Sequence, residues 1–396
     1  MNVILTDLHV RTSLLPLTFL RPLSSCRLGI YTIEEKWERL GANVSWDTIS
    51  YLQTKYTPKF AEDNFVVSGN IIPNESFLNE LKTLNRGEVL TKNGQFVAGR
   101  TSKDDSLAYL TSQNLIANES KSSFLQICSL IDFFSFNASE IISDLKLISA
   151  TKVQEEKFPK MSCNYLGHHG VFAPQEFSAF DVTFNTSEGP IYIGENVKIM
   201  EGAKLRGPLA VGDHSVIKMG AKIYGGTTIG PHCKVGGEIS NVVFQSYSNK
   251  GHDGFLGNSV IGEWCNIGAD TNSSNLKNNY DEVKLWNYST ARFEKTGKQF
   301  CGLIMGDHSK CGINTMFNTG TVVGVGANIF GSGFPRNFIP SFAWGGAHGF
   351  SSFQLKKFFQ TAEAMMKRRD KFLTSEEKEI VNFVFKESSQ FRYWEK

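Results

Sequence analysis

A six-residue repeat dominates the middle of the chain. Residues 191–238 read IYIGENVKIMEGAKLRGPLAVGDHSVIKMGAKIYGGTTIGPHCKVGGE. An aliphatic residue recurs at every sixth position, at Ile193, Ile199, Leu205, Val211, Ile217, Ile223, Ile229 and Val235. A helix would place apolar residues at a period of about 3.6, and a simple strand at a period of about two. The six-residue period therefore predicts a solenoid of short strands and turns, with the aliphatic side chains in its core.

The repeat is interrupted and then resumes. Its register stops after Glu238, returns at Ile261 and Ile267, and returns again from Met305 to Ile329. Repeat proteins usually place function on insertions between repeats. We therefore interpret residues 238–257 as a loop that the solenoid extrudes, and as the first place to look for chemistry.

These repeats resemble the left-handed parallel β-helix of hexapeptide-repeat acyltransferases. The whole chain resembles the bifunctional enzymes that acetylate glucosamine-1-phosphate and then couple the product to a nucleotide, in particular the Bacteroidetes form usually labelled a sugar nucleotidyltransferase. Only the resemblance implies the left hand, since ordinary strand crossovers are right-handed.

The resemblance also implies a domain organisation. It predicts an α/β nucleotidyltransferase-like domain at residues 1–185, a left-handed parallel β-helix at 186–345 and C-terminal helices at 346–396. We expect the C-terminal helices to cap the open end of the β-helix, where an uncovered strand edge would recruit other chains. Within the first domain, Asn137-Ala138-Ser139-Glu140 predicts the start of a helix over residues 140–147.

Composition narrows the class of protein. The 396 residues are 41% hydrophobic and 20% charged, with a formal net charge of +2. This near-neutral balance gives no reason to expect nucleic acid or an anionic membrane as partner. The seven Cys lack Cys-x-x-Cys spacing, which favours a reducing compartment without disulfides or a zinc site. With no secretory signal or membrane-spanning run in view, we predict a cytoplasmic protein.

The first strand is followed by a partial nucleotide-binding motif. Arg11, Pro16-Leu17-Thr18 and Arg21-Pro22 are similar in order and approximate spacing to the motif of sugar-1-phosphate nucleotidyltransferases. The family's glycines, which let a backbone come close to phosphate, are replaced by residues 7–10. Two interpretations stay open: Arg11 and Arg21 bind nucleotide phosphates with their side chains, or both are surface residues of a decayed domain.

Asn70 marks a second departure from that family. It lies within residues 65–73, which predict a strand that ends at a turn, at the place where the family has an Asp that helps to hold the catalytic Mg²⁺. An Asn offers a neutral oxygen without charge, so Mg²⁺ would bind more weakly, and the metal site stays undefined. The alternative is that Asn70 is a turn residue.

His252 is the candidate catalytic residue. Lys250-Gly251-His252 and Phe255-Leu256-Gly257, followed by Asn266-Ile267-Gly268-Ala269, are similar to the acetyltransferase motifs. By resemblance, His252 is the general base for the attacking amine, Lys250 binds the sugar phosphate, and Phe255 replaces a family Tyr. Histidine suits proton transfer because it changes charge near neutral pH. The alternative is a loop histidine that bonds backbone carbonyls.

Further residues are implied for the sugar and for acetyl-CoA. The family's Asn-Tyr-Asp contacts the sugar; here Asn275 keeps its spacing from Asn266, whereas Asn279-Tyr280-Asp281 keeps the motif. The sequence does not choose between Asn275 and the pair Asn279 and Tyr280. Ala269 and Asp307 are implied to lie at the acetyl-CoA site.

The leading hypothesis is a transferase with acetyl-CoA-dependent N-acetylation of an amino-sugar-1-phosphate in the β-helix and nucleotidyl transfer, with Mg²⁺, in the N-terminal domain. The alternatives are an acetyltransferase without the second activity and a non-catalytic protein that binds sugar nucleotides. The predicted partners are small molecules, a sugar phosphate and a nucleotide. The resemblance also implies a homotrimer, because a closed ring of three satisfies head-to-tail contacts.

Overall fold

The computed structural model describes residues 1–102, 116–149 and 162–395. The N-terminal domain (Asn2–Ser149) contains the following elements. Its strands are β1 Asn2–Thr6, β2 Arg27–Leu28, β3 Tyr31–Thr32, β4 Asn43–Asp47, β5 Asp63–Ser68, β6 Ile71–Ile72, β7 Glu88–Lys92, β8 Gln95–Ser102, β9 Ile116–Glu119 and β10 Leu125–Gln126. Its helices are α1 Ile33–Arg39, α2 Glu75–Thr83 and α3 Asp132–Ser149.

The main sheet of this domain has the strand order β4-β1-β5-β8-β7-β9. β1 is parallel to both of its neighbours, so the loops that follow β1, β4 and β5 meet at one edge of the sheet. α3 begins at Asp132, earlier than predicted, and Asn137 lies inside it. Because α3 begins five residues earlier, Asn137 does not start the helix; its buried side chain instead bonds Gly29 and Gly226.

The second region is a parallel-stranded solenoid (Asn164–Gly346). Its strands are β11 Asn164–Gly167, β12 Val171–Phe172, β13 Thr183–Thr186, β14 Ile191–Ile193, β15 Lys198–Ile199, β16 Lys204–Arg206, β17 Leu209–Val211, β18 Val216–Ile217, β19 Lys222–Ile223, β20 Thr227–Ile229, β21 Lys234–Val235, β22 Glu238–Phe244, β23 Asn249–Lys250, β24 Phe255–Ile261, β25 Asn266–Ile267, β26 Asn272–Ser273, β27 Lys284–Asn287, β28 Arg292–Lys295, β29 Ile304–Met305, β30 Lys310–Cys311, β31 Met316–Phe317, β32 Val322–Val323, β33 Asn328–Ile329, β34 Phe338–Ile339 and β35 Ala343–Gly346.

Three six-residue repeats make one coil of the solenoid. Ile191 pairs in parallel with Leu209, and Leu209 with Thr227, each partner 18 residues further along the chain. The eight aliphatic residues that defined the repeat are all buried. The predicted solenoid and its core positions are therefore confirmed. β11 already pairs with β13, so the solenoid sheet begins before the expected boundary at residue 186.

The predicted extruded loop at residues 238–257 is wrong. β22 and β24 pair along this stretch, and Val235 pairs with Lys250 only 15 residues on, so this coil is short rather than extended. The insertion comes later: Ile267 pairs with Cys311, 44 residues on, which leaves 26 more residues than a regular coil. Part of that insertion forms the antiparallel hairpin β27–β28.

One corner of the solenoid carries a column of stacked rings, here called the ring ladder: His214, His232, Tyr247, Trp264 and His308. All five residues have positive φ between 55° and 60°, the left-handed conformation that ends each short strand. The repeating turn thus places one ring above another in successive coils.

The C-terminal elements are β36 Gly349–Ser352, α4 Leu355–Lys367 and α5 Ser375–Glu387. α4 packs on the ring ladder through Phe358, against His308, and through Met366, which clusters with Trp264. In α5, Phe383 stacks on Tyr51 of the N-terminal domain. The helices therefore lie along the side of the solenoid, and the expectation that they cap its end is wrong. The last strand, β35, is instead paired with β36.

The N-terminal domain and the solenoid share one apolar core, in which residues such as Val3 and Phe133 cluster with Val260 and Ile304. Asn137 adds a polar link: its Oδ1 accepts from the Gly29 N–H at 2.8 Å, and its Nδ2 donates to the Gly226 carbonyl at 2.8 Å. Within the residues that the structure describes, none of the helices has the length and apolar character needed to cross a bilayer.

Candidate functional site

His252 lies on a tight turn, here called the His252 corner (Gly251–Gly254), between β23 and β24. The next coil follows the same path: Asn249 pairs with Asn266, and the Asp270 N–H donates to the Asp253 carbonyl at 3.0 Å. This register places His252 in the row beside Ala269. The structure thus brings His252, Asn266 and Ala269 together on neighbouring coils, as a shared site requires.

The His252 side chain is exposed, and its imidazole has no hydrogen-bond partner among the described residues. The loop-histidine alternative, in which the ring bonds backbone carbonyls, is therefore not what the structure has. Close packing shapes the turn beneath it: a Cβ on Gly237 would lie 2.8 Å from the His252 carbonyl oxygen. Glycine is required there because the backbones of two coils meet.

The Lys250 side chain is buried inside the solenoid, which corrects its predicted role in phosphate binding. It occupies the interior position that Val235 occupies in the coil before, and only 1% of its surface is exposed. Its Nζ donates to the carbonyls of His252 and Asp253, the latter at 2.7 Å. Burial lowers the pKa of this ammonium to about 8. Lys250 therefore holds the His252 corner from inside the solenoid.

Of the two alternatives left open for the sugar, Asn275 is the one bonded to β24, the strand that follows the His252 corner. Its Nδ2 donates to Asn258 Oδ1 on β24 at 2.8 Å, and the half-buried Phe255 begins that strand. Asn279 and Tyr280 lie on an exposed turn of the insertion, where Asn279 bonds Asp281 and Tyr280 is 65% exposed. The two alternatives left open by the sequence thus occupy different surroundings.

Asp307 and Arg21 bind each other, which corrects both of their predicted roles. The Arg21 guanidinium donates to Asp307 Oδ2 at 2.6 Å and also pairs with Glu263 at 3.1 Å. The other Asp307 oxygen accepts the Glu263 backbone N–H at 2.7 Å. Both side chains are buried, and burial raises the pKa of the Asp307 carboxyl. Asp307, predicted to bind acetyl-CoA, and Arg21, predicted to bind the nucleotide, therefore form an ion pair between the two domains.

Arg11 and Asn70 are likewise occupied within the protein, so the interpretation of Arg11 and Arg21 as surface residues is wrong too. Arg11 is 6% exposed, donates to the Tyr51 hydroxyl and lies over the Tyr51 ring. Asn70 is 2% exposed, and its Oδ1 accepts from Ser68 Oγ at 2.7 Å. Neither side chain is presented to a nucleotide in this conformation.

The residues at this edge of the sheet do not fit Mg²⁺. Among the described residues, no group of three His, Cys, Asp or Glu side chains is placed to hold a metal ion. Asp7 follows β1 with one oxygen bonded to the Leu23 N–H and the other buried without a partner. Burial raises the pKa of Asp7, so its surroundings disfavour a charged carboxylate. Asn70 adds no charge.

A cavity of about 400 Å³ lies where the N-terminal domain, the solenoid and α5 meet. It is called the interdomain cavity below. Trp46, Glu263, Trp264 and His308 line it, and none of them was singled out from the sequence. No sequence motif could have found them, because Trp46 and His308 come together only through the packing of two regions.

The fold and these sites define a solenoid protein whose N-terminal domain is similar to a known family. Residues 3–153 match the family described as Sugar nucleotidyl transferase. The bifunctional protein GlmU of Methanocaldococcus jannaschii is 41% identical over 73 residues, which cover 18% of this chain and 17% of that protein. The chain thus aligns with about a sixth of the length of this curated relative.

Two solved structures also show some similarity. An Arabidopsis UDP-N-acetylglucosamine acyltransferase is 15% identical, with 54% of this chain and 79% of that chain covered and a TM-score of 0.23. AntD, an N-acyltransferase from Bacillus cereus solved with dTDP and coenzyme A, is 13% identical, with 52% and 91% covered and a TM-score of 0.23.

Proposed function

We propose that this chain is a sugar-phosphate-modifying transferase that N-acetylates an amino-sugar-1-phosphate from acetyl-CoA at the His252 corner. The observation that carries the proposal is the free, exposed imidazole of His252 in the row beside Ala269. The match of residues 3–153 to sugar nucleotidyl transferases and the partial likeness to GlmU support a sugar phosphate as substrate. We further propose that the solenoid is a left-handed β-helix of the Bacteroidetes-type bifunctional proteins.

The chemistry at the corner follows from the residues present. A neutral amine attacks the thioester carbonyl, the nitrogen–carbon bond forms, and His252 takes the amine proton. The tetrahedral intermediate then collapses, the carbon–sulfur bond breaks, and the protonated histidine returns a proton to the leaving thiolate. The Gly268 N–H already donates to the Cys311 carbonyl at 3.1 Å. The Ala269 N–H is therefore the nearby donor for the developing oxyanion.

Substrate contacts are assigned to side chains that border the same coils. We propose that Asn266 and Asn275 hydrogen-bond the sugar and that Phe255 packs against it, since Asn275 reaches β24 through Asn258. Asn279 and Tyr280 are the alternative if the insertion turn closes over the site. Lys250 acts indirectly, because its ammonium fixes the carbonyls of His252 and Asp253.

A trimer is part of this proposal. A closed ring of three solenoids satisfies head-to-tail contacts without open growth, and a shared site would lie where two copies meet. Sedimentation of a monomer at micromolar concentration would contradict a shared site. A cytoplasmic location stays a prediction.

Nucleotidyl transfer in the N-terminal domain is the second candidate function. The family match over residues 3–153 favours it. It requires Arg11, Arg21 and Asn70 to leave their present partners, and the local residues do not fit Mg²⁺. A third possibility, a binding protein without catalysis, predicts sugar-nucleotide affinity and no turnover.

The test is a turnover assay of the full chain. The protein is given acetyl-CoA with glucosamine-1-phosphate and other amino-sugar phosphates, and thiol release is followed. In a second arm it receives the N-acetylated sugar phosphate with UTP or dTTP and Mg²⁺, and pyrophosphate release is followed. We expect thiol release in the first arm. Turnover in the second arm alone would establish the nucleotidyl candidate and contradict acetyl transfer.

A further inference from the structure

The interdomain cavity is built from three parts of the chain. The N-terminal domain contributes Arg21 and Trp46, the solenoid contributes Glu263 and His308, and α5 contributes one wall. Its 400 Å³ lies at the lower end of the volumes typical of small-molecule sites. No step proposed at the His252 corner uses this cavity.

Three residues that line the cavity each carry a buried nitrogen atom without a hydrogen-bond partner among the described residues. They are Arg21 Nε, Arg27 Nε and His308 Nδ1, and each of these residues is only 7% exposed. A buried polar group without a partner costs about 1–3 kcal/mol, so such groups are usually satisfied by water or a ligand. In this conformation the three nitrogen atoms are closed off from solvent. The side chains that do line the cavity include the polar Ser25, Thr32 and Gln245, and this polar lining favours a polar occupant.

The charges of the cavity argue against an anionic occupant. Its three cations are each paired with a carboxylate: Arg21 with Asp307, Arg27 with Glu35 at 3.4 Å, and Lys55 with Glu377 at 2.7 Å. Glu34 and Glu263 also line it, so five carboxylates face three cations. A phosphate group placed there would meet an excess of negative charge and no free cation.

Aromatic rings supply the remaining walls. Trp46, Tyr56 and Trp264 line the cavity, and Trp46 is held in place by the bond from its Nε1 to Glu34 at 2.7 Å. The charged groups can hydrogen-bond hydroxyl groups on the rim of a ligand. The flat rings between them can pack against C–H groups on its faces. A pyranose sugar has this shape.

We propose that the interdomain cavity binds a hexose-sized sugar without a phosphate group, either neutral or with one amino group. This site is distinct from the His252 corner, and the inference goes beyond the proposed acyl transfer. Because the cavity is bounded by both domains and by α5, an occupant would hold the three parts together.

The test is calorimetric titration of the full chain with glucose, glucosamine and glucosamine-1-phosphate as probes. We expect glucose or glucosamine to bind one site per chain with a Kd of about 1 mM or tighter. Glucosamine-1-phosphate should bind the same site at least about tenfold more weakly. Trp46→Leu should weaken sugar binding at least about tenfold, whereas the control Trp344→Leu, which alters an exposed indole on β35, should not.

Glu263→Gln provides a second variant that keeps the shape of the side chain. It should reduce the preference for glucosamine over its phosphate ester by at least about threefold, because one negative charge is removed. His252→Ala should leave sugar binding at this cavity unchanged, which separates the present inference from acetyl transfer.

Three results would overturn the inference. One is a lack of heat with all probes, which would mean that the cavity holds water only. Another is sugar binding that Trp46→Leu and Trp344→Leu affect equally. The third is tighter binding of the phosphate ester at a site that Trp46→Leu removes.

Discussion

The N-terminal edge and the His252 corner were singled out by the same kind of motif resemblance, yet their side chains have opposite surroundings. Arg11, Arg21 and Asn70 are buried, and each is hydrogen-bonded to another side chain of the protein. His252 is exposed, and its ring is free of partners among the described residues. A motif shows that a residue occupies the same sequence position as a functional residue of a family, whereas catalysis needs a side chain that can reach a substrate. The corner meets the second condition and the edge does not.

His252→Ala tests the His252 corner and has the largest expected effect on activity. A positioned general base contributes about 10²–10⁴-fold to such proton transfers, so acetyl transfer should fall by two to four orders of magnitude. Acetyl-CoA binding should persist, because the backbone at Ala269 is unchanged. Thiol-release kinetics and calorimetry measure the two quantities separately.

The matched control is His214→Ala, which removes another exposed histidine from a solenoid corner. His214 belongs to the ring ladder and should leave turnover within about twofold of wild type, as is usual for surface changes. If both variants lose turnover equally, the loss comes from damage to the solenoid, and His252 has no special role.

Arg21→Ala tests the N-terminal edge, where the side chains are already bonded within the protein. It leaves the buried Asp307 carboxylate without its cation, and breaking a buried ion pair in this way costs about 3–5 kcal/mol. The free energy of unfolding from urea titration should fall by that amount. Any activity in either domain should fall with it, because Arg21 joins the two.

The double variant Arg21→Met with Asp307→Leu is the control. It removes both charges of the buried pair and fills the space with apolar groups, but it leaves Glu263 without Arg21 and the Glu263 N–H without its acceptor, so it should recover part of the lost stability. An Arg21→Ala protein that keeps full stability would show that the ion pair does not join the domains. Arg21 would then be available to a phosphate after all.

The repeat shows how much of the fold could be predicted from the sequence. Aliphatic residues at six-residue spacing specify the interior of each coil, and all eight residues of the first run are buried. The pattern failed where the coil shortened. There Val235 pairs with Lys250, and a lysine at an interior position looks like the end of a repeat. The gap in the repeat between Ile267 and Met305 was visible, but its meaning as a 26-residue insertion was not, because local spacing does not report register across a gap.

The site was less predictable than the fold. The His252 corner could be found because its residues are close in sequence and meet through regular coil spacing. The Arg21–Asp307 pair joins residues 286 positions apart, and each of them fitted a different ligand by motif. Their contact depends on how α3 and the first sheet pack on the solenoid, which neither local pattern encodes.

Asn137→Ala sharpens the comparison at the polar link between the domains. The side chain is fully buried; it accepts a hydrogen bond from the Gly29 N–H and donates one to the Gly226 carbonyl. Its loss leaves buried backbone groups unsatisfied, which should lower the free energy of unfolding by about 1–3 kcal/mol. Chemical denaturation followed by circular dichroism measures this change.

The control for this variant is Asn85→Ala, which removes an exposed asparagine whose side chain, among the described residues, bonds Glu88 three positions on. It should change stability by at most about 0.5 kcal/mol. Equal effects of the two substitutions would mean that the link through Asn137 is replaced by water at no cost.

The last expected effect is a change in slope, the pH dependence of stability that Lys250 gives to the solenoid. Burial lowers its pKa to about 8, compared with 10.5 for an ordinary lysine. Between these values the unfolded chain binds a proton that the folded chain does not, so this lysine makes stability rise with pH. One proton corresponds to at most about 1.4 kcal/mol per pH unit. Lys250→Met should remove that slope between about pH 8 and 10.

Comparison with Lys310→Met isolates the lysine beneath the His252 corner. Burial lowers the pKa of Lys310 to about 8 as well, and its Nζ bonds the His308 carbonyl at 2.9 Å. Each single variant should lose part of the slope in urea titrations, and the double variant should lose both parts. Only Lys250→Met should also reduce acetyl transfer, because only Lys250 fixes the carbonyls of His252 and Asp253. A Lys250→Met protein with the wild-type slope and wild-type turnover would show that this ammonium reaches water and does not support the corner.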